Sequence, residues 1–140
     1  MLLTVRKTSR KLTLSASGTT NLGEFVPATR SSAAGPSRRV IGARVRVITA
    51  ANGTGTLSLG TTTGGAATIM TTSDVGLGTA GVKSTATGSE LAGNGTARST
   101  GASPEYFTAT YTRGTDSNQP VVRITILDVD ELAWQAATKV

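Results

Sequence analysis

Arg39-Val40-Ile41-Gly42-Ala43-Arg44-Val45-Arg46-Val47-Ile48-Thr49, followed by Ala50-Ala51-Asn52-Gly53-Thr54-Gly55-Thr56-Leu57-Ser58-Leu59, decides how this chain is read. Residues 41, 43, 45, 47 and 49 share one side and read Ile, Ala, Val, Val, Thr, whereas Arg44 and Arg46 point the other way. A repeat of two is the period of a half-buried strand. Asn52-Gly53-Thr54-Gly55 has the chemistry of a tight turn, because Asn and Gly tolerate positive φ, and Thr56 to Leu59 resumes the alternation. The pattern predicts a β-hairpin.

Toward the C-terminus the same period returns twice. Glu105 to Arg113 sets Phe107, Ala109 and Tyr111 on one face. After the turn residues Gly114 to Pro120, Val121 to Leu127 sets Val122, Ile124 and Ile126 inward. Ala67 to Thr71 reads as a strand, and Val75 to Val82 as a loop with a short strand. Gly88 to Pro104 offers little to bury except Leu91, so it reads as a long contact loop that orders against a partner or stays exposed. From Asp130 to Lys139 one or two helical turns are expected, with Asp130 as cap and Leu132 and Trp134 as docking groups.

Toward the N-terminus the chain changes character. Leu2 to Val5, Leu12 to Leu14 and Leu22 to Val26 read as short strands separated by polar turns, and Ser31 to Ser37 as a loop. Residues 1–38 are therefore taken as a basic arm that pairs with the domain or with another subunit. Residues 39–129 form the β-domain and 130–140 a short tail. Few core residues are expected of the arm, so the β-domain should fold without it. About eight short strands and no amphipathic helix predict an all-β fold, an antiparallel jelly-roll-like sandwich or barrel with an extended N-terminal arm.

Composition narrows the chemistry. The 140 residues contain no Cys and no His, which excludes disulfides, thiolate or Ser-His-Asp catalysis and His-ligated metals. Gly, Ala, Ser and Thr make up just over half of the chain, and only five residues are aromatic (Phe 2, Tyr 2, Trp 1). So thin a core favours stability shared with neighbours, and a homo-oligomer is expected, a dimer before a trimer. No apolar run approaches a membrane span, and Met1 to Lys7 reaches charge before a signal core can form, so no membrane partner or export is expected.

Charge is lopsided. Residues 1–46 carry nine basic side chains against Glu24, a local net of +8 in a chain whose total is +6. Arg6, Lys7, Arg10, Lys11, Arg30, Arg38 and Arg39 are the candidate partner-binding residues, meeting an acidic surface. Their alternative is a solvated face. Nucleic acid is disfavoured, because Phe25 is the only aromatic before residue 106 and no helix is available for a groove. Among the acids only Asp128, Asp130 and Glu131 cluster. They suit a strand exit and helix start, or less readily a calcium ion. The glycines of 60–65 are not followed by the Lys-Ser or Lys-Thr of a phosphate loop. No catalytic group, cofactor or small-molecule substrate emerges, and an enzyme is not expected.

The stretch Ile41 to Thr49, then Ala51-Asn52-Gly53-Thr54-Gly55-Thr56-Leu57-Ser58-Leu59-Gly60, then Ser73-Asp74-Val75-Gly76-Leu77 and Thr108 to Thr112, resembles a module of tailed-phage virion proteins. With its length and basic N-terminus, the chain resembles the capsid cement (decoration) proteins of tailed phages. That resemblance implies a structural protein, made in the host cytoplasm, on the outer surface of an icosahedral capsid. Its partner would be the major capsid protein. A head-fibre or tail component is the alternative, followed by a carbohydrate- or nucleic-acid-binding β-domain.

Overall fold

Strand β3 (Ser37–Thr49) keeps the alternation expected of it, with Ala43, Val45 and Val47 buried and Arg44 and Arg46 exposed. A bulge between Val40 and Gly42 shifts the phase by one residue, so Val40 is buried and the expected Ile41 is only half-buried. The computed structural model describes residues 4–27, 37–62, 65–84, 96–98 and 104–138. Among these residues β3 is joined by β1 (Arg6–Thr13), β2 (Gly18–Val26), β4 (Thr56–Thr61), β5 (Gly65–Met70), β6 (Gly81–Ser84), β7 (Thr96–Arg98), β8 (Glu105–Thr112) and β9 (Val121–Asp130). Two short helices, α1 (Thr72–Val75) and α2 (Glu131–Thr138), complete the fold.

The strands form two antiparallel sheets, a five-stranded one ordered β1-β9-β3-β6 with β7 also on β3, and a four-stranded one ordered β2-β8-β4-β5. The chain passes from one sheet to the other at β1 to β2, β2 to β3 and β3 to β4, and again at β5 to β6, β7 to β8 and β8 to β9. The fold is an all-β sandwich of two antiparallel sheets. Its core lies between the sheets and includes Val45, Val47, Leu57, Leu59, Phe107, Tyr111, Ile124 and Ile126.

The expected hairpin between β3 and β4 does not form. These strands lie in different sheets, and residues 50–55 arch between them. Asn-Gly chemistry is used here to lock the arch against the loop after β8 rather than to close a two-residue turn. Asp116 accepts hydrogen bonds through Oδ1 from the amides of Gly53 (2.9 Å) and Gly55 (3.0 Å), and through Oδ2 from the Tyr111 hydroxyl (2.8 Å). Asn52 and Asn118 bind reciprocally across the same seam, and the Asn118 amide reaches the Ala50 carbonyl at 2.8 Å. Glycine is required at 55 for space, since a Cβ there would sit 1.7 Å from an Asp116 oxygen. Burial pushes the Asp116 carboxyl up, but the Tyr111 hydroxyl, the Gly55 and Gly53 amides and nearby Arg113 together hold it below the ordinary value. Tyr111 is pushed up, first by burial and then by its bond to Asp116.

Residues 6–26 are woven into both sheets. β1 pairs with β9 from Arg6↔Asp128 to Thr13↔Val121, and β2 pairs with β8. Leu14, Leu22, Phe25 and Val26 are core residues, and Phe25 stacks on Phe107 at 4.5 Å between ring centroids. Against the expectation of few core residues, this segment supplies four to the core and a strand to each sheet. The large apolar residues there are few, but Leu14, Leu22, Phe25 and Val26 are all buried and Leu12 packs against them partly exposed. At the other end Asp130 caps α2 as expected, accepting from the Ala133 amide at 2.9 Å. Leu132 is not a docking group, being 73% exposed, whereas Trp134 is half-buried beneath the Arg39 guanidinium, 5.9 Å from the ring centre. Arg30, most of the loop from 31 to 37 and the loop from 88 to 104 apart from 96–98 and 104 lie outside the described residues.

Candidate functional site

Strand alternation divides each basic doublet of β1 between two faces. Arg6, Thr8, Arg10 and Leu12 lie opposite the inward residues Asp128, Ile126, Ile124 and Val122 of β9. Lys7 and Lys11 therefore point outward, and both are exposed.

The inward arginines are tied within the chain. Asp128 continues the apolar face of β9 and is 0% exposed. Its Oδ1 accepts from Arg6 Nε at 3.0 Å, and its Oδ2 from Arg6 Nη2 at 2.7 Å and Arg38 Nε at 2.6 Å. Arg6 Nη2 also donates to the Phe25 carbonyl at 2.7 Å, and Arg10 Nη1 to the Leu22 carbonyl at 3.4 Å. Arg6 and Arg10 thus bridge β1 to β2, one sheet to the other. With both oxygens held by guanidinium groups, Asp128 presents no vacant cradle for a calcium ion.

The outward side of the same sheet is different. Lys11 of β1 lies opposite Arg123 of β9, and Arg123 lies opposite Arg46 of β3, so three cations form one row across three strands. Arg44 pairs in register with Thr125, next along β3, and Lys7 with Leu127 at the far corner. All five are exposed, and none is paired with a carboxylate among the described residues. A shallow groove between β3, β6 and β9 is lined by Arg44, Arg46, Val82, Arg123 and Thr125. Among the described residues, register places no acidic residue on this face. Directly opposed like charges destabilise a sheet, so this row is held at a cost.

Of the residues singled out from sequence, only Lys7 and Lys11 belong to this face. Arg6, Arg10 and Arg38 are the internal ties, Arg39 lies against Trp134, and Arg30 is outside the described residues. Arg44, Arg46 and Arg123 were missed as a group. The outward phase of Arg44 and Arg46 is visible in sequence, but their meeting with Lys11 and Arg123 depends on strand order.

The outer face of the four-stranded sheet carries Thr19, Asn21, Ser58, Thr108 and Thr110, with the exposed Glu24 opposite Tyr106 toward one end. Thr19 and Thr110 share a hydroxyl–hydroxyl bond of 3.0 Å, and Ser58 donates to the Ala66 carbonyl at 2.7 Å. Among the described residues no group of His, Cys, Asp or Glu is gathered that could hold a metal.

No family model matches the chain, and no curated protein matches it in sequence. Two solved structures match its fold. One is a chain of the "Cyanophage Pam1 capsid asymmetric unit", with a TM-score of 0.59 and 15% identity over 91% of this chain and 85% of that one. The other is a chain of the "Acidic stable capsid structure of Helicobacter pylori bacteriophage KHP30", with a TM-score of 0.55 and 12% identity over 89% of this chain and 86% of that one. The likeness covers about nine-tenths of this chain and establishes a fold shared with chains of two phage capsids.

Proposed function

We propose that this chain is a virion structural protein, a cement (decoration) protein that binds the outer surface of an icosahedral phage head and bridges neighbouring major capsid subunits. The observation that carries this reading is the fold shared over about nine-tenths of the chain with chains of two phage capsid structures. The sequence supports it, through the resemblance of residues 39–127 to a module of tailed-phage virion proteins and of the whole chain to the cement protein of a Bordetella short-tailed phage. A sandwich with unpaired cations on one face and, among the described residues, no gathered His, Cys, Asp or Glu also suits a lattice contact better than turnover. The bridging unit is a homo-oligomer, a dimer before a trimer, and Lys7 and Lys11 of the basic N-terminal segment contribute to attachment.

The test is the chain's place and number in purified particles. Density on the outer shell with hundreds of copies is the expected result. A few or tens of copies at a vertex or tail makes it a fibre or tail component, and density inside the shell against DNA overturns the reading.

A further inference from the structure

We propose that the outer face of the five-stranded sheet, centred on the row Lys11, Arg123, Arg46 and extended by Arg44 and Lys7, is a docking surface for an acidic protein surface. The inference rests on the cement reading and names the face and the partner chemistry. Charge carries it first. Five cations without an intervening carboxylate repel one another on a flat sheet, and an acidic partner removes that cost.

Residue type carries it next. Arginine occupies the centre, on β3 and β9, where neighbouring Thr125 and Ser84 are too short to shade it. A guanidinium fork on a rigid strand matches a carboxylate with two parallel bonds.

The occupant can be narrowed further. A second copy meeting this face symmetrically would set cations against cations. A single-stranded nucleic acid would want stacking rings, and the aromatic residues lie elsewhere: Phe25, Phe107 and Tyr111 in the core, Trp134 beneath Arg39 and Tyr106 on the four-stranded sheet. Val82, 57% exposed and opposite Arg46 in register, adds an apolar anchor beside the charges, a mixture usual at protein interfaces.

The experiment compares the full chain with the triple variant Arg44→Thr, Arg46→Thr, Arg123→Thr and with the pair Lys7→Thr, Lys11→Thr. Threonine keeps strand propensity. Probes are heads stripped of the protein, poly-glutamate and a short DNA duplex. The triple variant should melt no lower than the parent, because repulsion is relieved, yet its occupancy on heads should fall about tenfold or more. The lysine pair, at the margin, should lose less. Parent occupancy should decline as salt rises from about 0.1 to 1 M, where the screening length contracts from about 10 to 3 Å, with circular dichroism of the released protein unchanged.

Triple-variant occupancy within twofold of the parent overturns the inference and leaves the cement reading standing. Duplex bound more tightly than poly-glutamate, and lost in the triple variant while head binding persists, assigns the face to nucleic acid and also overturns it. A parent chain that fails to bind stripped heads at all overturns the cement reading itself, and this inference with it.

Discussion

The two sides of one sheet use the same side chain for opposite ends. On the inner side, Arg6 and Arg38 close around Asp128 and Arg10 reaches the Leu22 carbonyl, so guanidinium groups hold the sandwich together at its rim. On the outer side, Arg44, Arg46 and Arg123 stand with Lys11 and Lys7 and have no carboxylate beside them among the described residues. Inner charges are compensated because the chain must desolvate them. The outer ones remain hydrated, and their mutual repulsion is tolerable. Uncompensated charge on a hydrated face is free to meet a partner; compensated charge in the rim is already spent on the fold. The lesson is that a count of +8 near an N-terminus says little until the phase of each residue on its strand is known.

Mutations should break or sharpen this contrast. The largest effect is expected at Asp128→Ala, which leaves two rim guanidiniums without their carboxylate and should cost about 3–5 kcal/mol in urea unfolding. A cost below about 0.5 kcal/mol, ordinary for a surface change, would erase the distinction between the two sides.

Acid and base come next, since they act on the carboxylate-held interior and find no carboxylate on the outer face. The Asp116 carboxyl is held below its ordinary value, so its contribution is fully present above about pH 4 and is lost as pH falls through the lower folded value. Tyr111 is raised, so its contribution is present below about pH 10 and lost as pH rises through the folded value. Thermal midpoints followed against pH should show both slopes, with Asp116→Asn flattening the acid one and Tyr111→Phe the alkaline one. Unchanged slopes in the two variants would mean that the arch over residues 50–55 is held by its asparagines instead.

Arg6→Ala should cost less than Asp128→Ala, about 1–2 kcal/mol, because Arg38 keeps its bond to Asp128. Its occupancy on heads should fall no further than its lost stability explains, which distinguishes an inner arginine from an outer one. The smallest effect has the opposite sign. Arg46→Thr alone removes one like-charge neighbour from Arg123 and should raise stability by about 0.2–1 kcal/mol, read as a higher thermal midpoint. A fall of similar size would show that the row is compensated by neighbours and is not held at a cost.

Elements whose evidence is local were legible in the sequence. The period of two in Ala43 to Val47, Phe107 to Tyr111 and Val122 to Ile126 marks the inner faces, and each of these residues is buried. Asp130 caps the last helix for equally local reasons. The hairpin misreading at Asn52-Gly53 has a physical origin. Turn chemistry reports that the chain bends and leaves open which strand it meets afterwards, and here it carries β4 to the other sheet. Ile41 was misplaced because a bulge has no signature in composition.

By itself, then, the sequence determined the all-β class, the inward phase of the main strands, the absence of His and Cys chemistry and the lopsided charge, since all of these depend on residue type and spacing of a few positions. Only the tertiary structure decided which strands are neighbours. That choice put Lys11, Arg123 and Arg46 in one row from positions 35 and 77 residues apart, and set Asp128 against Arg6 and Arg38. Cross-strand register is fixed by packing of the whole core, so it places side chains together that share no stretch of sequence.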